Sequence, residues 1–161
     1  MGNTVGSRQS LSDEYLAGFF DGDGSVVATL EPYNSTRFPY RIRLKVNFTQ
    51  HMRHQKILTM IQQALNGYGA IRTNEGKQLA ELVIQERNQV RSVLVRLAPK
   101  LAIKNRQSVL GIKVLDALSV NEKHQPSKLS DKSYTQVLKL IQEIRTLNSH
   151  TGGKRRNTMI A

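Results

Sequence analysis

Within YLAGFFDGDGSV, residues 15–26, an apolar patch runs into two carboxylates, Asp21 and Asp23, and three glycines before β-branched residues take over. Carboxylate oxygens are what hard divalent cations prefer as ligands, and glycine lets backbone and ligand approach closely, so the junction has the composition of a metal or phosphate site. Aspartate and glycine also build ordinary turns, and a bare DGDG carries no chemistry by itself. Several well-known sites do not fit. A calcium loop starting at Asp21 needs Gly at its sixth place and Glu at its twelfth, which here are Val26 and Pro32. A dinucleotide fingerprint lacks its third glycine and precedes a strand. A phosphate loop is missing too, since Gly76-Lys77 is followed by Gln78.

The rest of the chain says what such a site would meet. Among 161 residues, 24 Lys and Arg oppose 12 Asp and Glu, a net charge of +12, and the pI is near 10.3. That balance is expected of a protein that meets a polyanion, nucleic acid first. No run approaches the roughly 20 apolar residues of a membrane span, and no helix pairs a basic face with a bulky aromatic one, so no membrane partner is expected. The first ten residues lack the plan of a secretory signal. Cysteine is absent, which excludes disulfides, thiolate metal sites and cysteine nucleophiles. An intracellular setting is compatible with this, with organellar, archaeal and bacterial hosts all open.

Elements able to position the acids follow from periodicity. Ser12 before Asp13 and Glu14 is a helix start, predicting a short helix from Asp13 to Phe20. A strand over Ser25 to Leu30, turn chemistry in EPYNSTRFP and a strand from Tyr40 to Phe48 predict a hairpin. In its second arm Ile42, Leu44, Val46 and Phe48 alternate with Arg41, Arg43, Lys45 and Asn47, giving one apolar and one cationic face. Residues 51–66 read as a helix ending at Asn66-Gly67, and a second hairpin turns at Asn74-Glu75-Gly76. Further helices are predicted to end near Pro99, to start near Arg106, and to run from Asp131 to Asn148. The chain is expected to be one α+β domain over 1–150, with a basic tail, 151–161, carrying Lys154, Arg155 and Arg156.

LAGFFDGDGS, residues 16–25, resembles the signature of the LAGLIDADG homing endonucleases, opened by Leu16, Ala17 and Gly18 and closed by Asp23-Gly24. The element order over about 12–118 is similar to that family's αββαββα core, with C-terminal helices to about 148. The chain is most similar to single-motif members, which act as homodimers on intron insertion sites in ribosomal RNA genes. The resemblance implies an antiparallel sheet forming a DNA-binding saddle, and a dimer formed through the motif helices at Leu16, Ala17, Gly18 and Asp21. Asp21 is alternatively a helix-end or supporting group.

The resemblance further implies that Asp23, with the Gly22 carbonyl, holds Mg²⁺, and that Mn²⁺ or Ca²⁺ can substitute in binding. Gln50 falls on the family's water-ordering glutamine. The basic residue expected four places later is His54, with Arg53 beside it, and which of them faces the phosphate is open. LAIKNRQ, residues 101–107, puts Lys104 on the catalytic lysine. Groove-facing positions would be Val27, Thr29 and Glu31; Arg41, Arg43, Lys45 and Asn47; and Arg72, Asn74 and Glu81. Tyr33, Asn34, Ser35 and Arg37 at the hairpin tip would reach outer base pairs, and Lys154, Arg155 and Arg156 would hold phosphates.

The expected function is therefore an intron-encoded homing endonuclease. It would bind a long pseudo-palindromic duplex as a homodimer and cut both strands with a divalent metal, leaving short 3′ overhangs. The alternatives are an RNA-splicing maturase, a family member that binds DNA without cutting it, and a basic ribosomal or architectural protein.

Overall fold

The computed structural model describes residues 10–32, 38–124 and 129–150, the side chains of 120–124 and 150 apart. In chain order the elements are α1 (Asp13–Asp23), β1 (Gly24–Pro32), β2 (Tyr40–His51), a 3₁₀ turn (Met52–His54), α2 (Lys56–Ala64), β3 (Ala70–Asn74), a 3₁₀ turn (Glu75–Lys77), β4 (Leu79–Ile84), α3 (Arg87–Leu97), a 3₁₀ turn (Ala98–Lys100), α4 (Asn105–His124) and α5 (Asp131–His150). The four strands form one antiparallel sheet in the order β1-β2-β4-β3.

Helix α1 starts where its cap chemistry puts it: the Tyr15 N–H donates to the Ser12 hydroxyl at 3.1 Å. It continues three residues past the predicted stop, through Asp21 and Gly22 to Asp23. Low helix propensity argued for stopping at Phe20. Tertiary contacts override it, because the Gly24 N–H donates to the Phe20 carbonyl and the Lys104 ammonium donates to the carbonyls of Phe20 and Gly24. At the other end, Arg96 of α3 grips Asp13 at 2.7 Å and the Ala64 carbonyl of α2 at 2.7 Å, tying three helices together. That guanidinium holds the Asp13 carboxyl below its usual pKa, against the opposing effect of desolvation.

Strand β2 is longer than predicted, and α2 correspondingly shorter. Thr49, Gln50 and His51 pair with Glu81, Ala80 and Leu79, so His51, expected to open a helix, closes a ladder together with the two residues before it. The chain then turns through Asn66 and Gly67, both at positive φ, as the Asn-Gly cap predicts. Gly69 is required by contact as well as by its φ of 81°: a Cβ there would meet the Val83 carbonyl oxygen and the Ile84 side chain.

Alternate strand residues pack beneath the sheet. Val26, Ile42, Leu44, Val46, Phe48, Leu82 and Ile84 are buried against Leu16 and Phe20 of α1 and against Leu94, Leu110 and Ile141 of the later helices. Phe20 meets Phe48 edge-on at 5.3 Å between ring centroids. Edge strand β1 is covered by α5: Arg145 Nε donates to the Ala28 carbonyl at 3.1 Å and Asn148 Nδ2 to the Val26 carbonyl at 2.8 Å. These bonds satisfy acceptors that an open edge would offer to another strand. Among the described residues, the opposite face of the sheet carries no helix.

Candidate active site and nucleic-acid interface

The two acids of the motif have opposite fates. Asp21 is half-buried and turned toward its own chain, where its carboxylate accepts from the backbone N–H groups of Ala102 at 2.8 Å, Ile103 at 3.1 Å and Lys104 at 3.0 Å. Three successive amides around one carboxylate form a nest at the entrance to α4. Asp21, expected at a dimer contact or as a helix-end or supporting group, has its carboxylate engaged within its own chain. Asp23, the last residue of α1, is exposed and makes no hydrogen bond or ion pair with the described residues.

Lys104 lies directly beneath this junction. It is 9% exposed, and its ammonium donates to the carbonyls of Phe20, at 3.1 Å, and Gly24. Asp21 and Lys104 thus reach across one another: the helical acid binds the loop's amides, and the loop's lysine binds the helix's last carbonyls. The sheet register sets Gly24 opposite Phe48, which carries Gln50 past the strand end next to the α1–β1 junction. Gln50 is half-buried, and its Oε1 accepts from the His51 N–H at 2.9 Å, leaving its amide nitrogen for another partner. Arg53 and His54 follow on the 3₁₀ turn with exposed side chains. Asp23, Gln50 and Lys104 therefore share one end of β1 and β2, and the two basic residues border it.

Glycine in the motif serves packing more than turn geometry. Gly24 is extended, with φ −105°, but a Cβ there would overlap the Phe20 ring and lie 2.8 Å from its Cα. Gly18 and Gly22 would meet nothing within 4 Å. They lie on the exposed side of α1, together with Tyr15. Leu16 and Ala17, expected at a dimer contact, are 0% and 1% exposed within the single chain, which corrects that assignment: they pack in its own core. The surface left for another helix is the line of Tyr15, Gly18 and Gly22. Ile103, 60% exposed in the loop that Asp21 holds, stands out beyond it; nothing in the periodicity singled it out.

On the open face of the sheet, register places Val27, Thr29 and Glu31 opposite Lys45, Arg43 and Arg41, and Arg72 opposite Glu81. The predicted positions share that face, and Ser25 and Thr49 join them through their pairings with Asn47 and Glu81. A count by twos along the strands would have found both. One expectation needs correction. Asn47 is only 8% exposed, with Nδ2 donating to Glu81 Oε1 at 3.0 Å, so its amide is enclosed instead of presented to a groove. Asn74 is exposed, and its Oδ1 accepts from the Lys77 N–H at 3.1 Å. Arg41, Lys45 and Arg72 have no acidic partner among the described residues. Tyr33, Asn34, Ser35, Arg37, Lys154, Arg155 and Arg156 lie outside the described residues.

Among the described residues no three His, Asp or Glu side chains cluster as a closed metal site. Asp23 is a hard, unengaged oxygen donor next to the Gly22 carbonyl, so the donor set fits a divalent cation that takes its remaining ligands from elsewhere.

A capped motif helix thus feeds a four-stranded antiparallel sheet, with the Asp23 carboxylate unengaged among the described residues at their junction. Residues 16–97 match the family described as LAGLIDADG endonuclease, and the chain belongs to that family. It is 28% identical over 134 residues to DNA endonuclease I-CreI of Chlamydomonas reinhardtii, an alignment that covers 83% of this chain and 77% of the relative. To DNA endonuclease I-CvuI of Chlorella vulgaris it is 29% identical over 112 residues, covering 69% and 68%. The crystal structure of homing endonuclease I-CvuI in complex with its target in the presence of 2 mM Ca shares the fold, with TM-score 0.76 and 24% identity over 91% of this chain and 86% of that one. That of I-TnaI shares it at TM-score 0.71 and 18% identity, covering 89% and 100%.

Proposed function

We propose that this chain is a site-specific homing endonuclease that binds a long, pseudo-palindromic DNA duplex as a homodimer and hydrolyses both strands with a divalent metal, leaving short 3′ overhangs. In this reading residues 1–150 are the single endonuclease domain and 151–161 a basic tail. The observation that carries it is the Asp23 carboxylate, at the exposed end of α1 with no hydrogen-bond or ion-pair partner among the described residues, on a helix whose Gly18 and Gly22 face open space.

Asp23 and the Gly22 carbonyl of each copy would hold the metal, Mg²⁺ in catalysis, with Mn²⁺ or Ca²⁺ able to support binding. When bound, such a cation would supply Lewis-acid chemistry at the scissile phosphate and the attacking water. Gln50, with its amide nitrogen unengaged, orients water at the strand end. Arg53 or His54 faces the phosphate and offsets developing charge. Lys104, whose ammonium sits on the Phe20 and Gly24 carbonyls on either side of Asp23, acts as the catalytic lysine that offsets developing negative charge or helps activate water. One chain brings one such acid, and cutting two strands takes two, which a dyad supplies. The cationic face of the sheet then follows the major groove, which admits a two-stranded ribbon.

The test is selection of cleaved sites from a randomised duplex pool with Mg²⁺. The parent chain is expected to enrich a dyad-symmetric site, and Asp23→Asn is expected to bind that site without cutting it. Equal cutting by Asp23→Asn would remove Asp23 from the mechanism.

A further inference from the structure

Acids are out of place on a surface meant for phosphates, because each opposes the counterion-release term that drives binding. Yet Glu31 and Glu81 stand among Arg41, Arg43, Lys45 and Arg72 on the open face. Glu81 has an internal explanation, since it binds the enclosed Asn47. Glu31 has none. In register it lies opposite Arg41, but its carboxylate reaches diagonally to Arg43, whose Nε donates to Oε2 at 2.7 Å.

Both side chains are well exposed, 41% for Arg43 and 49% for Glu31, and exposed pairs add little to folding stability. What this pair does accomplish is orientation. A long arginine arm loses rotamer freedom on binding, and a carboxylate that already fixes it removes part of that cost. Because Glu31 takes Nε, the terminal NH₂ groups of Arg43 have no partner among the described residues. They form the edge that can donate twice to guanine O6 and N7.

We propose that Glu31 is a positioning residue for sequence reading: its carboxylate aims Arg43 at one base pair in each half-site. This rests on the endonuclease reading above. Arg41, opposite Glu31 but not bonded to it, stays free for a sequence-independent phosphate contact.

The experiment is the cleaved-site selection run in parallel on the parent, Arg43→Ala, Glu31→Ala and Glu31→Gln. Arg43→Ala should erase the base preference at one position per half-site. Glu31→Ala should weaken the preference at that same position about tenfold and leave the others intact, and Glu31→Gln, which keeps an acceptor oxygen, should restore part of it. If Glu31→Ala strengthens binding evenly while every preference is kept, the acid merely repels phosphate and the proposal fails. It fails equally if the affected position differs from that of Arg43. A parent chain without any site preference would instead overturn the endonuclease reading, before any variant is compared.

Discussion

Two aspartates two residues apart divide the labour of the motif. Asp23 could be picked out from the sequence because the resemblance singles out the second acid and because a carboxylate at a helix end is an ordinary metal donor. The partners of Asp21 were not legible: its three amides come from residues 102–104, about eighty positions away, and no local pattern reports such a contact. The same distance hides Lys104, whose side chain the sequence places in the site but whose ammonium is engaged with carbonyls on either side of Asp23. Losing a carboxylate that caps free amides costs about 1–2 kcal/mol. Asp21→Ala should therefore lower unfolding stability by that amount in a denaturant titration. Cleavage should fall as well, since the loop carrying Lys104 is released, whereas Asp23→Asn should leave stability unchanged.

At the scale of elements, α1 buries one face in its own chain and leaves the other exposed, and its glycines divide accordingly. Gly24→Ala drives a methyl into Phe20, an overpacking that typically costs about 1–3 kcal/mol. Gly18→Leu enters open space and replaces a poor helix former, so the chain should stay folded by circular dichroism while its mass by light scattering falls to that of a monomer. A Gly18→Leu chain that unfolds, or one that remains a dimer, would move the interface elsewhere. β-Branched content made β1 readable and alternation β2, the Ser12 cap fixed the start of α1, and apolar spacing that of α5. The β2–α2 boundary was not readable, because residues 49–51 are held as strand by β4, a partner distant in sequence. The end of α1 was missed for a similar reason, the contacts from residues 102–104 outweighing the low propensity of Asp and Gly.

For the whole molecule, the charge read from composition has a location. The ion pairs Arg91–Asp116, Arg96–Asp13, Lys100–Glu14 and Arg106–Glu143 tie helices or helical turns to one another, while Arg41, Lys45 and Arg72 on the sheet have no acidic partner among the described residues. Composition gave the sum and alternation gave β2 a cationic face; the register adds which residues of β1, β3 and β4 share it. The central claim is that two copies meet along α1 and bring both Asp23 carboxylates to one seam. The chain has no cysteine, so a single one at Gly22, on the open side of that helix, can form a disulfide only with another molecule. Under mild oxidation at low protein concentration, Gly22→Cys should cross-link nearly completely to twice the 18.2 kDa monomer mass, and more readily with target DNA bound. A species that stays monomeric on a non-reducing gel, with or without DNA, would contradict the shared seam and the paired site built on it.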